Sequence, residues 1–157
     1  MILMLCGTQK QDFSRMVQLA EELSEAHEVV VQAGHTKFES SNMQIFDFIT
    51  SDELTKLYDR ADYIVTHGGA GSIFQAVKAG KKTLVFPRLA SFGEHVDDHQ
   101  LQLAGKLEQL GYLHVFNDGD DIHTAFAKLQ NFIPKPYDLT GEIPVLVAAK
   151  LNDILRK

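Results

Sequence analysis

Short apolar runs alternate along the chain with stretches whose apolar residues recur at helical spacing. The runs predict buried strands at Ile2–Cys6, Glu28–Gln32, Ile45–Phe48, Asp62–Thr66, Thr83–Phe86 and Tyr112–Phe116. Helical patterns follow the first, third, fourth, fifth and sixth runs, with Asp12 and the pair Ser51-Asp52 predicted as caps and Ser72 as the start of the helix that Gly80 stops. Strands that alternate with helices predict a parallel sheet covered on both faces. We therefore expect an α/β, Rossmann-like doubly wound domain.

The pattern changes near residue 134. Pro134-Lys-Pro136 resembles a linker, so residues 1–133 are predicted to form the domain and residues 134–157 a linker and a C-terminal helix. That helix is predicted to run from Pro144 to about Arg156. Its apolar stripe either packs on the same domain, which we favour, or docks a partner chain.

Composition narrows the function only modestly. The chain has 157 residues, 45% of them hydrophobic, which suits one compact domain. A formal net charge of −6 argues against a general electrostatic grip on nucleic acid. Cys6 is the one cysteine and is expected to be a buried structural thiol. No signal-peptide or membrane-span pattern occurs, so we expect a cytoplasmic protein that associates with a membrane through a partner or an amphipathic surface.

The most informative segment is a strand followed by a glycine-rich turn and a helix start, Tyr63-Ile-Val-Thr-His-Gly-Gly-Ala-Gly-Ser72. A helix start exposes unpaired backbone N–H groups and a partial positive charge. Gly68, Gly69 and Gly71 remove side chains there, so a phosphate could approach the amides closely. Ser72 adds a hydroxyl, and His67 is predicted to supply a further donor. Phosphate binding at this turn is therefore favoured over an ordinary tight turn.

Two common phosphate ligands are disfavoured. The lysine of a P-loop is missing, which argues against hydrolysis of ATP or GTP. Gly7-Thr-Gln-Lys10 is not a dinucleotide fingerprint, and no acidic residue closes the second strand to bind the ribose of NAD.

Several motifs together resemble a known family. They are His67-Gly-Gly-Ala-Gly-Ser72, Ala79-Gly-Lys81, Val85-Phe-Pro-Arg88 and His95-Val-Asp-Asp-His-Gln100. The chain is similar to the carboxy-terminal domain of glycosyltransferase family 28, above all to its short stand-alone members. These include the soluble subunit of the two-part enzyme that adds the second N-acetylglucosamine to dolichol-linked precursors, and bacterial capsule and exopolysaccharide subunits. Leu5-Cys-Gly-Thr8 and Val31-Gln-Ala-Gly34 resemble the bacterial members most.

The resemblance implies one half of a GT-B glycosyltransferase. This half would bind a UDP-sugar as substrate, with no cofactor and no metal, and a separate membrane-associated subunit would bind a lipid-linked saccharide acceptor. It implies that Gln75, where many relatives have Glu, meets the ribose, and that His99 and Gln100 meet the donor sugar. The implied donor-binding set is Gly7, Thr8, His67, Gly68, Gly69, Ala70, Gly71, Ser72, Gln75, Arg88, His99 and Gln100.

The expected reaction is an inverting transfer in which amide dipoles stabilise the departing diphosphate. The general base is expected on the partner, with His95 as the local candidate. His95 and His99 also have the spacing of a zinc pair, a minority reading. Two other functions stay open: a non-catalytic, UDP-sugar-binding activator subunit, and an epimerase, which the chain length disfavours. The sequence does not select among galactose, glucose, glucuronic acid and N-acetylglucosamine donors.

Overall fold

The computed structural model describes residues 1–95, 99–138, 141, 145–146 and 148–149, with His99 described by its backbone alone. Within them the strands are β1 Ile2–Leu5, β2 Val29–Gln32, β3 Gln44–Phe46, β4 Tyr63–Thr66, β5 Lys82–Val85 and β6 His114–Val115. The helices are α1 Ser14–Ser24, α2 Ser51–Arg60, α3 Ala70–Lys78, α4 His99–Gln109 and α5 Ile122–Asn131.

The strands form one parallel sheet in the order β3-β2-β1-β4-β5-β6. The chain first builds the sheet outward from β1 to β3, then returns through α2 to β4 and builds outward in the other direction. The reversal lies between β1 and β4, where Leu5 pairs with Thr66. In a doubly wound sheet, the crevice outside the strand ends at such a reversal is where ligands bind. The predicted doubly wound parallel fold is confirmed.

Helices cover both faces of the sheet because the residues of each strand point alternately to opposite sides. In β1, Ile2 and Met4 belong to the core under α1 and α5, whereas Leu3 and Leu5 pack beneath α2. All four side chains are buried, which explains why the sequence of β1 is continuously apolar. A third cluster joins α3 and α4 to β5.

The helix starts differ from the predicted ones in ways that matter for the site. Helix α2 is capped by Thr50, not by Ser51-Asp52: the Thr50 hydroxyl accepts from the Glu53 amide, and the Glu53 carboxylate accepts from the Thr50 amide. This reciprocal pair satisfies the backbone N–H groups of Thr50 and Glu53, and the helix begins at Ser51, the residue after the cap. Helix α3 begins at Ala70 rather than Ser72, because Gly69 is the last residue with extended backbone.

Two further boundaries were predicted imperfectly. Strand β3 ends at Phe46, so Phe48, predicted to be the end of the strand, is half exposed in the following loop. Phe13, not Asp12, is the cap residue of α1. The Asp12 carboxylate still accepts a hydrogen bond from the Ser14 amide at 3.1 Å.

The segment after α5 returns to the domain. Tyr137 and Leu146 pack against the α3–α4 cluster, and the Tyr137 ring meets Phe74 edge to face at 5.7 Å. Residues 145–146 and 148–149 are helical. The rest of the helix predicted from Pro144 to Arg156 lies outside the described residues.

Candidate functional site at the carboxyl edge of the sheet

A pocket of about 270 Å³ opens at the point where the strand order reverses. Its walls are the ends of β1, β2 and β4, one face of α2 and the first two turns of α3. The lining residues are Leu5, Gly7, Thr8, Gln32, Leu54, Tyr58, His67, Gly69, Gly71, Ser72 and Gln75. The structure therefore brings together seven of the predicted donor-binding residues, although they come from two distant parts of the chain.

The start of α3 is open for an anion. Gly69 is its cap and offers no side chain, and the first turn contains no acidic residue. The first hydrogen bond of the helix runs from the Ile73 amide to the Gly69 carbonyl, at 3.0 Å. The three amides before it, of Ala70, Gly71 and Ser72, have no carbonyl acceptor within the helix. A Cβ on Gly71 would meet no atom within 4 Å, so its backbone faces open space. The arrangement can bind a phosphate through the amides and the helix dipole.

His67 is buried beneath this helix start, with its ring between two glycines. A Cβ added to Gly7 would lie 2.6 Å from His67 Nε2, and a Cβ added to Gly69 would lie 2.4 Å from the same atom. A third glycine extends the stack: a Cβ on Gly34 would lie 2.3 Å from the carbonyl oxygen of Gly7. Gly7 and Gly34 also have φ of +80° and +60°, which glycine adopts without strain. These glycines therefore let three strand ends approach each other around one imidazole.

The protonation of His67 differs from the prediction. Burial is the main cause that lowers its pKa from 6.5 to about 4, and the charges of Arg88 and His95 act in the same direction. Nδ1 lies 3.2 Å from the carbonyl oxygen of Leu5, which can only accept, so Nδ1 carries the proton. At neutral pH Nε2 is therefore an acceptor, whereas the sequence predicted that His67 would donate to the ligand.

Gln100 does not line the pocket but lies beside the adjacent turn, next to Gly68. A Cβ on Gly68 would lie 3.5 Å from Gln100 Oε1 and 3.2 Å from a methyl group of Val85, so α4 approaches the phosphate turn closely. Gln100 Oε1 is buried and has no hydrogen-bond partner among the described residues. Such an acceptor costs free energy until a donor reaches it, and a ligand hydroxyl is one such donor.

Arg88 is not in contact with the pocket. Its side chain has no exposed surface, and its guanidinium donates to three backbone carbonyls. We predicted that Arg88 lies at the strand edge close to the donor. In the structure it lies behind the pocket wall instead. A side chain without exposed surface does not contact a ligand in the pocket.

The segment around His95 is only partly described. His95 is half buried and lies near enough to His67 to affect its pKa. Residues 96–98 and the side chain of His99 fall outside the description, so the predicted sugar contact and the zinc alternative at His99 stay untested. Among the described residues, no group of three or more His, Cys, Asp or Glu side chains could hold a metal.

Tyr58, Leu54 and Gln32 line the pocket but were not predicted. Leu54 and Tyr58 are four residues apart, so they lie on one face of α2, and that face turns to the sheet. Their spacing is visible in the sequence, but it is equally typical of ordinary core residues. Cys6 is buried as predicted, and burial raises the pKa of its thiol to about 12.

Two further concavities between described residues contain none of the predicted donor-binding residues. One lies between β6 and α5 and is lined by residues such as His114, Thr124 and Lys128. Within the described part of the chain, no helix has the length and apolar character needed to cross a bilayer.

Comparisons with known proteins agree with the fold. The model of the glycosyltransferase family 28 C-terminal domain matches residues 1–149. The UDP-N-acetylglucosamine transferase subunit ALG13 of Candida glabrata is 27% identical over 103 residues, which cover 64% of this chain and 50% of that protein. The same subunit of Yarrowia lipolytica is 30% identical over 80 residues, covering 51% of this chain and 39% of that protein. The chain thus spans at most half the length of these relatives.

Solved structures share the architecture. An NMR solution structure of ALG13 has a TM-score of 0.61 at 18% identity, covering 93% of this chain and 94% of that one. The crystal structure of Acinetobacter baumannii MurG has a TM-score of 0.59 at 21% identity, covering 83% of this chain and 41% of that one. A kitacinnamycin glycosyltransferase has a TM-score of 0.61 at 16% identity, and this chain covers 39% of it. The chain has the fold of one half of a GT-B enzyme.

Proposed function

Since this chain belongs to the family of glycosyltransferase family 28 C-terminal domains, we propose that it is the donor-binding, catalytic subunit of an inverting glycosyltransferase. It binds a UDP-sugar and transfers the sugar to a lipid-linked saccharide held by a separate, membrane-associated subunit. The observation that carries the proposal is the open start of α3 above the glycine-packed His67, at the reversal of the sheet.

The diphosphate binds at Gly69 to Ser72. Three amides without helical acceptors and the positive end of α3 converge there, and no side chain competes for them. The charge that develops on the leaving diphosphate is stabilised by these dipoles, which are held in place before the reaction begins.

The uncharged side chains around this point recognise hydroxyl groups. Gln75 lies one turn into α3 and lines the pocket, where its amide can both donate to and accept from the ribose. Gln100 presents an unpaired acceptor beside Gly68, on the side of α4, and reads the donor sugar. UDP-N-acetylglucosamine is the first donor to test, because relatives are named as UDP-N-acetylglucosamine transferase subunits.

In the transfer, the acceptor oxygen forms a bond to the anomeric carbon as the bond from that carbon to the diphosphate oxygen breaks. The electron pair leaves with UDP, and a general base takes the hydroxyl proton. His67 is a poor base at neutral pH because its pKa is lowered to about 4. We assign the base to the partner subunit, with His95 as the candidate on this chain.

A partner is favoured by the size of the pocket. Sites that enclose a small ligand usually measure about 300–1,000 Å³, and this pocket, at about 270 Å³, is open on one side. A second half is needed to cover the sugar and bring the acceptor. The resemblance of the first strand's end to bacterial members favours a cytoplasmic role in capsule or exopolysaccharide assembly.

The alternative is a non-catalytic subunit that binds the UDP-sugar and activates its partner. The two roles differ in what happens to Gln100→Ala in the assembled enzyme. We expect turnover to fall by at least tenfold while the two subunits still associate, because a hydroxyl contact near the reacting centre is lost. Unchanged turnover would favour the activator.

The first test is calorimetric titration of the purified chain with UDP, UDP-N-acetylglucosamine, UDP-glucose, ATP and NAD. We expect binding of the uridine nucleotides alone, weakened at least tenfold by Gly71→Ala and unaffected by Gly105→Ala, a helix glycine that also has open space around it. If no uridine nucleotide binds either to the chain or to the chain assembled with its partner, the proposal fails.

A further inference from the structure

Arg88 is a fully buried cation whose hydrogen bonds to described residues all go to backbone oxygens. Nη2 and Nε donate to the carbonyl of Cys6 at 2.9 and 3.3 Å. Nη1 donates to the carbonyls of Gln11 at 2.7 Å and Glu94 at 3.0 Å. The guanidinium also lies 4.5 Å from the centre of the Phe13 ring, so its plane is held by packing as well as by hydrogen bonds.

The three carbonyls belong to two segments: one contains the Gly7–Thr8 turn that lines the pocket, and the other leads to His95, which acts on the pKa of His67. Cys6 and Gln11 bracket the turn that contains Gly7 and Thr8, and Glu94 immediately precedes His95. The C=O and the following N–H of a planar peptide point in opposite directions. Bonding of the Cys6 carbonyl to Arg88 therefore turns the Gly7 amide away from the guanidinium and fixes the first wall of the pocket.

The carboxylate nearest to Arg88 in the sequence, that of Glu94, is hydrogen-bonded to other residues. The Glu94 carboxylate accepts from Arg15 Nε and Nη2, both at 2.8 Å, and from the Leu89 amide at 3.0 Å. The positive charge of Arg88 is felt in the site, because it lowers the pKa of both Cys6 and His67. A cation thus stands behind the Gly7 turn, on the side away from the ligand.

We infer that Arg88 is the positioning residue of the diphosphate subsite: without touching the ligand, it fixes the Cys6–Gln11 turn and the Glu94–His95 segment and places a positive charge behind them. The inference rests on the proposed function. If Arg88 had a purely structural role, its loss would weaken binding of the diphosphate and the nucleoside alike. As a positioning residue, its loss should weaken binding of the diphosphate more than binding of the nucleoside.

The test compares Arg88→Lys and Arg88→Met with Arg60→Met in the full chain. Arg60 pairs with Glu28 on the surface, so its replacement controls for the change in net charge. Lysine keeps the charge but cannot reach three carbonyls in a planar fork, and methionine removes the charge as well. Affinities for UDP and uridine are measured by calorimetry and NMR titration, and amide hydrogen exchange is measured without ligand.

We expect Arg88→Lys to raise the Kd for UDP about tenfold, because the Gly7 turn is no longer held in place and the charge behind it shifts, and to leave that for uridine unchanged. Amide exchange should accelerate in residues 6–11 and 89–95 but not in β4 or α3. Arg88→Met should weaken UDP binding further, and Arg60→Met should match the wild type.

Two results would overturn the inference. One is unchanged exchange in residues 6–11 in Arg88→Lys. The other is a loss of UDP and uridine affinity in equal proportion, which marks a general structural role. A wild-type chain that fails to bind UDP contradicts the proposed function instead, and the exchange data still decide whether Arg88 holds the two segments. If Arg88→Met does not fold, Arg88→Lys alone carries the comparison.

Discussion

The imidazole of His67 lies so close to Gly69 that a Cβ on that glycine would be 2.4 Å from Nε2. The ring cannot give way easily, because Nδ1 is bonded to the Leu5 carbonyl and Gly7 closes the opposite side. The cap of α3 must therefore be a residue without a side chain, and the bare cap is also what leaves the helix start open to an anion.

Gly69→Ala tests this contact directly. Gly69 has φ of −64°, which alanine adopts freely, so the substitution adds a steric clash without backbone strain. We expect a loss of about 1–3 kcal/mol in the free energy of unfolding, measured by urea denaturation. Gly105→Ala, in the middle of α4 with no atom within 4 Å, is the matched control and should gain up to about 1 kcal/mol. Equal stability of the two variants would contradict the packing described here.

Gly71→Ala should separate binding from folding. A Cβ there meets no protein atom, and alanine favours the helix, so the free energy of unfolding should stay equal or rise by up to about 1 kcal/mol. The same methyl group enters the space in front of the α3 amides, so UDP affinity should fall at least tenfold. Wild-type affinity in this variant would place the ligand elsewhere.

The lowered pKa of His67 predicts a pH dependence of stability. The folded chain binds this proton only near pH 4, whereas the unfolded chain binds it near pH 6.5, so stability is full above pH 6.5 and declines as the pH falls toward 4. The contribution is about 3 kcal/mol. His67→Asn keeps a donor for the Leu5 carbonyl but does not titrate, so urea midpoints measured between pH 7 and 4 should depend less on pH. An unchanged slope would contradict a buried neutral His67.

Tyr58→Phe addresses an unpaired group beside the pocket. The Tyr58 hydroxyl is buried and has no partner among the described residues. Burial raises its pKa further above the usual value, so it carries its proton at neutral pH. Removing an unpaired buried hydroxyl should leave the free energy of unfolding unchanged or raise it by up to about 1 kcal/mol. A loss of more than about 1 kcal/mol would mean that the hydroxyl is bonded, for example to an ordered water.

The pair of Arg15 and Glu94 should couple strongly for a partly exposed ion pair. It is bidentate, the carboxylate is buried, and the guanidinium lies 4.4 Å from the centre of the Phe86 ring. In a double-mutant cycle of Arg15→Met and Glu94→Gln we expect a coupling of about 2 kcal/mol, between the values for exposed and buried pairs. A coupling below about 0.5 kcal/mol would show that the loop after β5 is held by Arg88 and packing alone.

The phosphate turn was predictable because every part of it is local. A buried strand, three glycines and a helix start follow one another within Tyr63–Ser72, and each has its own sequence signal. Gln100 was placed by resemblance, and the structure does bring it next to Gly68. The outer parts of the pocket were not predictable in this way: Tyr58 and Leu54 follow the same helical spacing as any core residue.

The sequence by itself determined the alternation of strands and helices, the parallel sheet and the glycine turn at the end of β4, because hydrophobic periodicity and glycine content act over a few residues. The tertiary structure decided what the polar groups there can do. Arg88 could have reached the ligand but turns inward to carbonyls of the Cys6–Gln11 turn, 82 and 77 residues away in the chain. His67 could have donated to a phosphate but is neutral because burial lowers its pKa, and its Nδ1–H donates to the carbonyl of Leu5, 62 residues away. Direction, burial and protonation depend on neighbours that only folding brings together.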